Sequence, residues 1–484
     1  MNNIAGNALD AAMRQGISYA DVRLIETEER NVATKNGKIA QILTAESLGL
    51  GIRVLDRGCW GFAATDHLTA DGIESAAKLA VEIARASSLA KKTDVVLAPE
   101  QKYEAEWTSP VVIDPFSTSV DQNLALLFSI DEELRRNPGI TLAETNLVFS
   151  RSRQVFASSI GSRIVQTRCV TGAGFTAHSF RDGEIQKRSY PNSFGGQYQL
   201  KGYELVEELK LLENAPRVAE EAVALHVADQ CPEGCFDLIL DSSQLGLQIH
   251  ESVGHPIELD RVLGSEANYA GMSFLTLDKL NQLRYGSEIV NVVCDARPAH
   301  GPGLGTFAFD DEGVPAQATD IIREGRFVGY MTSRETAAAI GETRSNGTMR
   351  ADGWARIPLI RMTNVSLKPG EQSLEEVFDA SRAIYMETNK SWSIDDKRYN
   401  FQFGCEIGWE IRNGKRVRML KNPSYSGITT EFWDSCAAIA GSDHWTLWGT
   451  PNCGKGQPEQ IMGTGHGASP ARFHKIKIGS AYAG

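Results

Sequence analysis

Nowhere in the 484 residues do about 18 apolar residues follow one another, the length a bilayer-crossing helix needs, so membrane insertion is not expected. The opening residues, Met1-Asn-Asn-Ile-Ala-Gly, lack a basic segment leading into an apolar stretch, and secretion is not expected either; the reading is cytoplasmic. Clustered positive charge is missing too. Against 61 Asp and Glu stand 49 Lys and Arg, a net charge of -12 and a pI of about 5.4, the wrong sign for a chain that tracks a phosphate backbone. Cysteine is sparse and scattered, at 59, 169, 231, 235, 294, 405, 436 and 453. A disulfide framework would be denser in a shorter chain, so a cysteine that matters here is expected to be a metal ligand or a nucleophile.

What is present is an ordinary globular composition, 42% hydrophobic and 23% charged. The length exceeds what one hydrophobic core fills, so two or three packed units are expected, of α+β class. Ile4, Ala8, Leu9, Ala12 and Met13 mark a first amphipathic helix ending near Gly16. Alternating strands follow, with Lys35-Asn-Gly-Lys38 as a hairpin signal, and then an Ala-rich helix over about 69–89. These form an N-terminal α+β domain, residues 1–92, with an antiparallel sheet and helices. Lys91 to Pro110 reads as a linker into a central α+β domain, 93–230, with a helix around 119–136, strands near 141–200 and a helical stretch from Glu204 to His226 that Pro216 must break or restart. From 231 to 484 the chain reads as a β-rich domain ending on a strand at Phe473-His-Lys-Ile-Lys-Ile.

The chemistry concentrates in Gln244-Leu-Gly-Leu-Gln-Ile-His250-Glu251-Ser-Val-Gly-His255-Pro-Ile-Glu258. Two histidines with a glutamate beside the first follow metallopeptidase logic, in which imidazoles hold zinc and the carboxylate takes a proton from water. The spacing is one residue longer than the usual His-Glu-x-x-His. Five residues of regular helix leave two side chains about 140° apart around the axis, so the backbone between His250 and His255 must contain a π-type turn or end the helix, using Gly254 or Pro256. A catalytic zinc takes three protein ligands. The best third candidate is Cys453 in Gly449-Thr-Pro-Asn-Cys453-Gly-Lys-Gly456, read as a tight loop that leaves a thiol accessible.

With Phe309-Asp-Asp-Glu-Gly-Val-Pro, Arg361-Met-Thr-Asn and the Gly-rich run after Cys453, these segments resemble the ordered signature of the TldD/PmbA family, formerly labelled modulators of DNA gyrase. The resemblance spans the chain. It implies a β-rich C-terminal domain holding the site, one Zn2+ or another divalent metal per chain on His250, His255 and Cys453, and Glu251 as general base. It also implies a dimer, either of identical chains or with a paralogue lacking the motif, enclosing a chamber that admits unfolded peptides for maturation or degradation. No nucleic-acid or membrane partner is expected.

Other readings remain beside this one. A non-hydrolytic peptide-binding subunit would use four protein ligands and a structural metal; a cysteine hydrolase would use Cys453 as nucleophile with a late histidine. His444, His466 and His474 lie near Cys453 in sequence, and any could replace a ligand. Cys453-Gly-Lys455 imitates a phosphate-binding loop, but Gly456 stands where Ser or Thr is needed and Pro458 opposes a following helix. Thr306 likewise stands where a dinucleotide fingerprint in Gly301-Pro-Gly-Leu-Gly needs its third glycine. Cys231 and Cys235 read as an interdomain loop, Phe309-Asp-Asp-Glu-Gly as an exposed turn, and Tyr330 as a core residue more than an oxyanion donor.

Overall fold

The computed structural model describes residues 1–456 and 459–480; Gln457 and Pro458 lie outside the described residues. The architecture is α+β, with a β-rich C-terminal half. The N-terminal half comprises α1 (Asn2–Met13), β1 (Tyr19–Lys35), β2 (Lys38–Asp56), β3 (Cys59–Thr65), α2 (Ala70–Ser87), β4 (Glu104–Thr108), α3 (Val120–Arg135), β5 (Leu142–Ser158), β6 (Arg163–Arg181), β7 (Glu184–Tyr190) and β8 (Gln197–Gln199). Because β1 pairs with β2 on one side and β5 on the other, strands from both sides of residue 92 form one sheet, in the order β3-β2-β1-β5-β6-β4. The β1–β2 turn places Asn36 and Gly37 at φ 48° and 70°, the left-handed pair that a two-residue hairpin requires.

Strands of 17 to 19 residues are long enough to carry two helical layers. Val22 and Leu24 on β1 pack with α1 and α2, while Val32, on the same face by the two-residue period, packs with α3 and the helix Leu211–Ala224. Thr69 caps α2 through Gly72. The small residues of that helix let it lie close on the sheet; a Cβ at Gly61 would stand 1.9 Å from the Ala80 carbonyl oxygen. The opposite face of the sheet is polar. Arg23 donates to the Gly353 carbonyl, Arg53 to Glu312, Gln154 to Asp311 and Gln166 to the Phe309 carbonyl, so this face seats the C-terminal half.

In that half, Arg382–Ile394 pairs with Gly234–Leu240, which pairs with Ala471–Ser480, then Pro423–Ile428, then Asn400–Arg412 and back to Arg382–Ile394. The five strands therefore close a ring. The helix Ser242–Ile249, capped by Asp241 through the Ser243 and Gln244 amides, is buried along its whole length. Its Gln244 and Gln248 share the buried Tyr425 hydroxyl, and the core around it holds Phe401, Phe403, Phe432 and Phe473. A separate antiparallel hairpin, Thr446–Lys455 with Gln460–Ala468, lies against this helix.

Four local expectations differ from what is found. The end of the linker is strand β4, which pairs parallel to β6 through residues 104–108. The 204–226 stretch breaks at Lys210, φ 48°, whereas Pro216 sits inside Leu211–Ala224, where burial of Leu211, Ala215, Val218 and Ala222 offsets one missing hydrogen bond. The turn at Phe309-Asp-Asp-Glu-Gly is buried, because Asp310 accepts from the Glu312, Val314 and Met349 amides and Glu312 pairs with Arg53 at 3.1 Å. Cys453 is in a strand and buried, not in an accessible loop; Gly449 there permits close approach, since a Cβ would stand 2.1 Å from the Tyr198 carbonyl oxygen. Among the described residues, no helix is long and apolar enough to cross a membrane.

Candidate metal centre

The helix Ser242–Ile249 runs directly into a π-helical turn, His250–Gly254, closed by the His255 amide donating to the His250 carbonyl five residues back. A tighter turn, His255–Ile257, follows with Pro256 inside it. The wider turn adds the rotation that a regular helix lacks, and the two imidazoles meet with ring centroids 4.9 Å apart at 89°. Gly254 has an ordinary helical φ of -60°. Its missing side chain matters for packing, because a Cβ would stand 2.1 Å from the Met362 sulfur.

Cys453 arrives from the hairpin Thr446–Lys455, at a register irregularity between Thr450 and Cys453. Arg361, fully buried, donates to the Cys453 carbonyl and, at 3.0 Å, to the Gln460 carbonyl, so it ties both strands at the position that aims the thiol. One donor atom from each of His250, His255 and Cys453 lies within 4.8 Å of the others, a set that can hold a metal ion. All three residues are buried, as is Glu251.

Each imidazole has a partner behind it. His255 Nδ1 lies 3.2 Å from Glu258 Oε2, and its Nε2 lies 3.6 Å from Cys453 Sγ. Glu258 in turn is 3.4 Å from the ammonium of Lys455, which also donates to Asp260 and to the Ile360 carbonyl. The lysine of the phosphate-loop imitation is thus committed to carboxylates. His250 Nδ1 is 2.7 Å from His466 Nε2, and His466 Nδ1 is 3.1 Å from the Val365 carbonyl oxygen. Glu251 pairs with Arg398, from the turn joining Arg382–Ile394 to Asn400–Arg412.

Burial pushes His250 down to about 4, and pushes His255 and His466 well below the usual imidazole range, which keeps the three rings neutral and able to offer lone pairs. Burial works against a Cys453 thiolate, but His255 and Arg361 outweigh it and the thiol lies below its ordinary value.

The structure thus brings His250, Glu251, His255 and Cys453 together. His466 joins them behind His250, whereas His444 and His474 are exposed elsewhere, the latter on Asp237. Tyr330 spends its hydroxyl on the Leu275 and Thr276 carbonyls and is a core residue. Glu258, Arg361, Arg398 and Lys455 carried no role in the sequence reading. Only Glu258 had a local signal, a carboxylate three residues after a candidate ligand, the kind of partner that orients metal-bound imidazoles.

Comparison with known proteins gives two family matches, the PmbA/TldA metallopeptidase C-terminal domain over residues 233–480 and domain 1 of the same metallopeptidases over residues 20–84. A metalloprotease of Methanocaldococcus jannaschii is 29% identical over 84% of this chain and 86% of its own. A protein named zinc metalloprotease TldD homolog from Saccharolobus solfataricus is 29% identical over 51% of this chain and 52% of its own. Among solved structures, a Thermotoga maritima protein described as a modulator of DNA gyrase superposes with a TM-score of 0.78 over 99% of this chain and 100% of its own, at 18% identity, a likeness of fold. With its C-terminal half matched end to end and its His-Glu-x-x-x-His and Cys residues gathered at one buried point, the chain belongs to the TldD/PmbA family of metallopeptidases.

Proposed function

We propose that the chain is a zinc-dependent peptidase of unfolded peptides, with His250, His255 and Cys453 as metal ligands and Glu251 as general base. The carrying observation is the convergence of the three donors through the π-helical turn. The donor set fits the metal. Ligands at about 2.3 Å for sulfur and about 2.0–2.1 Å for nitrogen, across a tetrahedral angle, stand about 3.6 Å apart, and Cys453 Sγ and His255 Nε2 are 3.6 Å apart. Two imidazoles and a thiolate suit zinc, although other divalent metals share these donors. The zinc-metalloprotease name of the Saccharolobus relative supports the same choice.

Bound there, the metal would polarise the scissile carbonyl and acidify a water molecule. Glu251, beside His250 and off the ligand set, takes the water proton at its carboxylate and passes it to the leaving amine. Arg398 orients that carboxylate through their ion pair. Glu258 and His466 hold the two imidazoles from behind, fixing which nitrogen faces the metal. Burial of all four residues excludes bulk water. The proposal extends to a cytoplasmic dimer, of two copies or with a paralogue lacking the motif, in which an unfolded peptide reaches the buried site.

One observation favours a second reading. Cys453, His255 and Glu258 lie in series, in the manner of a cysteine nucleophile, its base and an orienting carboxylate. Metal analysis joined to a peptide-library digest, with and without chelator, separates the two. About one metal per chain and chelator-sensitive cleavage are expected. Cleavage that survives chelation and stops on thiol alkylation would instead establish the cysteine hydrolase, and bound metal without cleavage, alone or with a paralogue added, the non-hydrolytic subunit.

A further inference from the structure

A cavity of about 120 Å³ lies where the polar face of the N-terminal sheet meets the C-terminal half, lined by Gln154, Arg168, Asp311, Arg350, Met462 and their neighbours. Two guanidiniums converge on it. Arg168 Nη2 and Arg350 Nη2 donate to the same oxygen, the Leu304 carbonyl, at 2.8 and 3.1 Å. Arg350 gives its other hydrogen bonds to the Met362 and Gly463 carbonyls. Both Nε atoms are buried without a partner. Among the described residues, neither guanidinium has a carboxylate oxygen within 4.0 Å.

That is an unusual balance, since buried charges are ordinarily paired. Asp311 attracts both guanidiniums from beyond ion-pair distance, but its oxygens accept from Gln154 and from the Ala351 amide and one lies 3.9 Å from Arg23. Asp310 faces the same space, but backbone amides take both of its oxygens. Burial, Arg168 and Arg361 together outweigh the attraction of Asp311 and Cys453 and push Arg350 down to about 9, still cationic at neutral pH. Two unpaired cations sharing one acceptor therefore repel each other across a space large enough for a carboxylate group, and an anion there would take the free guanidinium donors. The cavity is also close to the metal centre. Met462, in its wall, is the register partner of Cys453, and Met362, whose carbonyl holds Arg350, packs against Gly254.

We propose that this cavity is an anion subsite that receives a carboxylate of the bound peptide, paired to Arg168 and Arg350. In naming a peptide as the bearer, the assignment rests on the peptidase reading. The carboxylate belongs either to an acidic side chain or to the peptide's C-terminus, and the two sources are separable.

The test uses four fluorescent peptides with one common apolar body, carrying Glu or Gln at the last position and ending in a free acid or an amide. Affinity is read by fluorescence polarisation on the wild type and on Arg168→Gln and Arg168→Lys, at the one of the two cavity-wall arginines that is half-buried where Arg350 is buried. At least one carboxylate peptide is expected to bind about tenfold more tightly than the doubly neutral one. Arg168→Gln should remove that difference while leaving the neutral peptide unchanged, and Arg168→Lys should recover part of it. Preference for Glu-amide assigns an acidic side chain; preference for the Gln free acid assigns the C-terminus. Equal affinity of all four peptides for the wild type, or no binding of any, would overturn the subsite whether or not Arg168→Gln folds. An equal loss for all four in a folded Arg168→Gln would reduce Arg168 to a structural role and overturn it too. Charge-selective binding by a protein without metal or turnover would retain the subsite and reject the peptidase.

Discussion

His250 and His466 stand Nδ1 to Nε2 at 2.7 Å, and the far nitrogen of His466 faces the Val365 carbonyl oxygen at 3.1 Å. A carbonyl only accepts, so the hydrogen-bond network assigns the His466 proton to Nδ1 and leaves its Nε2 as an acceptor. His250 must then donate from Nδ1, which leaves its own Nε2 bare. A backbone carbonyl thereby selects the tautomer of a candidate metal ligand. His466→Ala is expected to weaken metal binding about 10- to 100-fold, with His466→Asn, which keeps a donor and an acceptor, recovering part of it. Chelator competition measures this, and wild-type affinity in the Ala variant would remove His466 from the centre.

Glu251→Gln removes the proposed base and no ligand. Metal content should stay close to wild type and the protein should remain folded, with a melting temperature lowered by loss of the Arg398 ion pair, while peptide turnover falls by about 10² to 10⁴. Unchanged turnover would dismiss the mechanism.

His250→Ala and Cys453→Ala each delete one of three donors and should leave the purified protein depleted of metal by elemental analysis. Full metal content in Cys453→Ala would exclude that thiol. Its strand is held by Arg361 through the Cys453 backbone carbonyl and not through the side chain, so the hairpin should survive the substitution.

Gly254→Ala places a methyl group against the Met362 sulfur and should destabilise the protein by about 1–3 kcal/mol. Met362→Ala opens that space. In a double-mutant cycle by urea denaturation the pair should therefore be less destabilised than the sum of its parts; strict additivity would contradict the contact.

For chelator-treated protein, stability should fall as pH drops from 7 towards 4. His250 lies near 4 when folded against an ordinary 6.5, so between those values the unfolded chain binds the extra proton and the native state does not. The stability is present above about pH 6.5 and is lost on acidification, about 3 kcal/mol for this group by the pKa difference alone. His255 is shifted in the same direction and adds to the slope. Thermal melts across this range measure it, and a flat profile would mean that the rings protonate without cost.

Much of the fold was legible because local patterns agree with the final structure. The Ala-rich periodicity of α2 and the Asn36-Gly37 turn each depend on neighbours only a few residues away. That regular helix must give way between His250 and His255, by a π-type turn or by ending, was legible too, since it follows from helix geometry and the spacing alone; which of the two occurs was not. Tertiary structure decided what depends on distant partners. Whether the 449–456 segment is a loop or a strand depends on Gln460–Ala468 pairing with it and on Tyr198 lying against Gly449. The roles of His466, Arg361 and Arg398 depend on residues 216, 92 and 147 positions away. The two unpaired arginines lie on different halves of the chain, and only the seating of the N-terminal sheet on the C-terminal half makes one cavity of them. The sequence by itself determined the His-Glu-x-x-x-His spacing and the departure from regular helix that it imposes, because both are local; tertiary packing determined that Cys453 meets the two histidines and what stands behind each imidazole, because those partners are distant in the chain and hydrogen bonds and charge act through space.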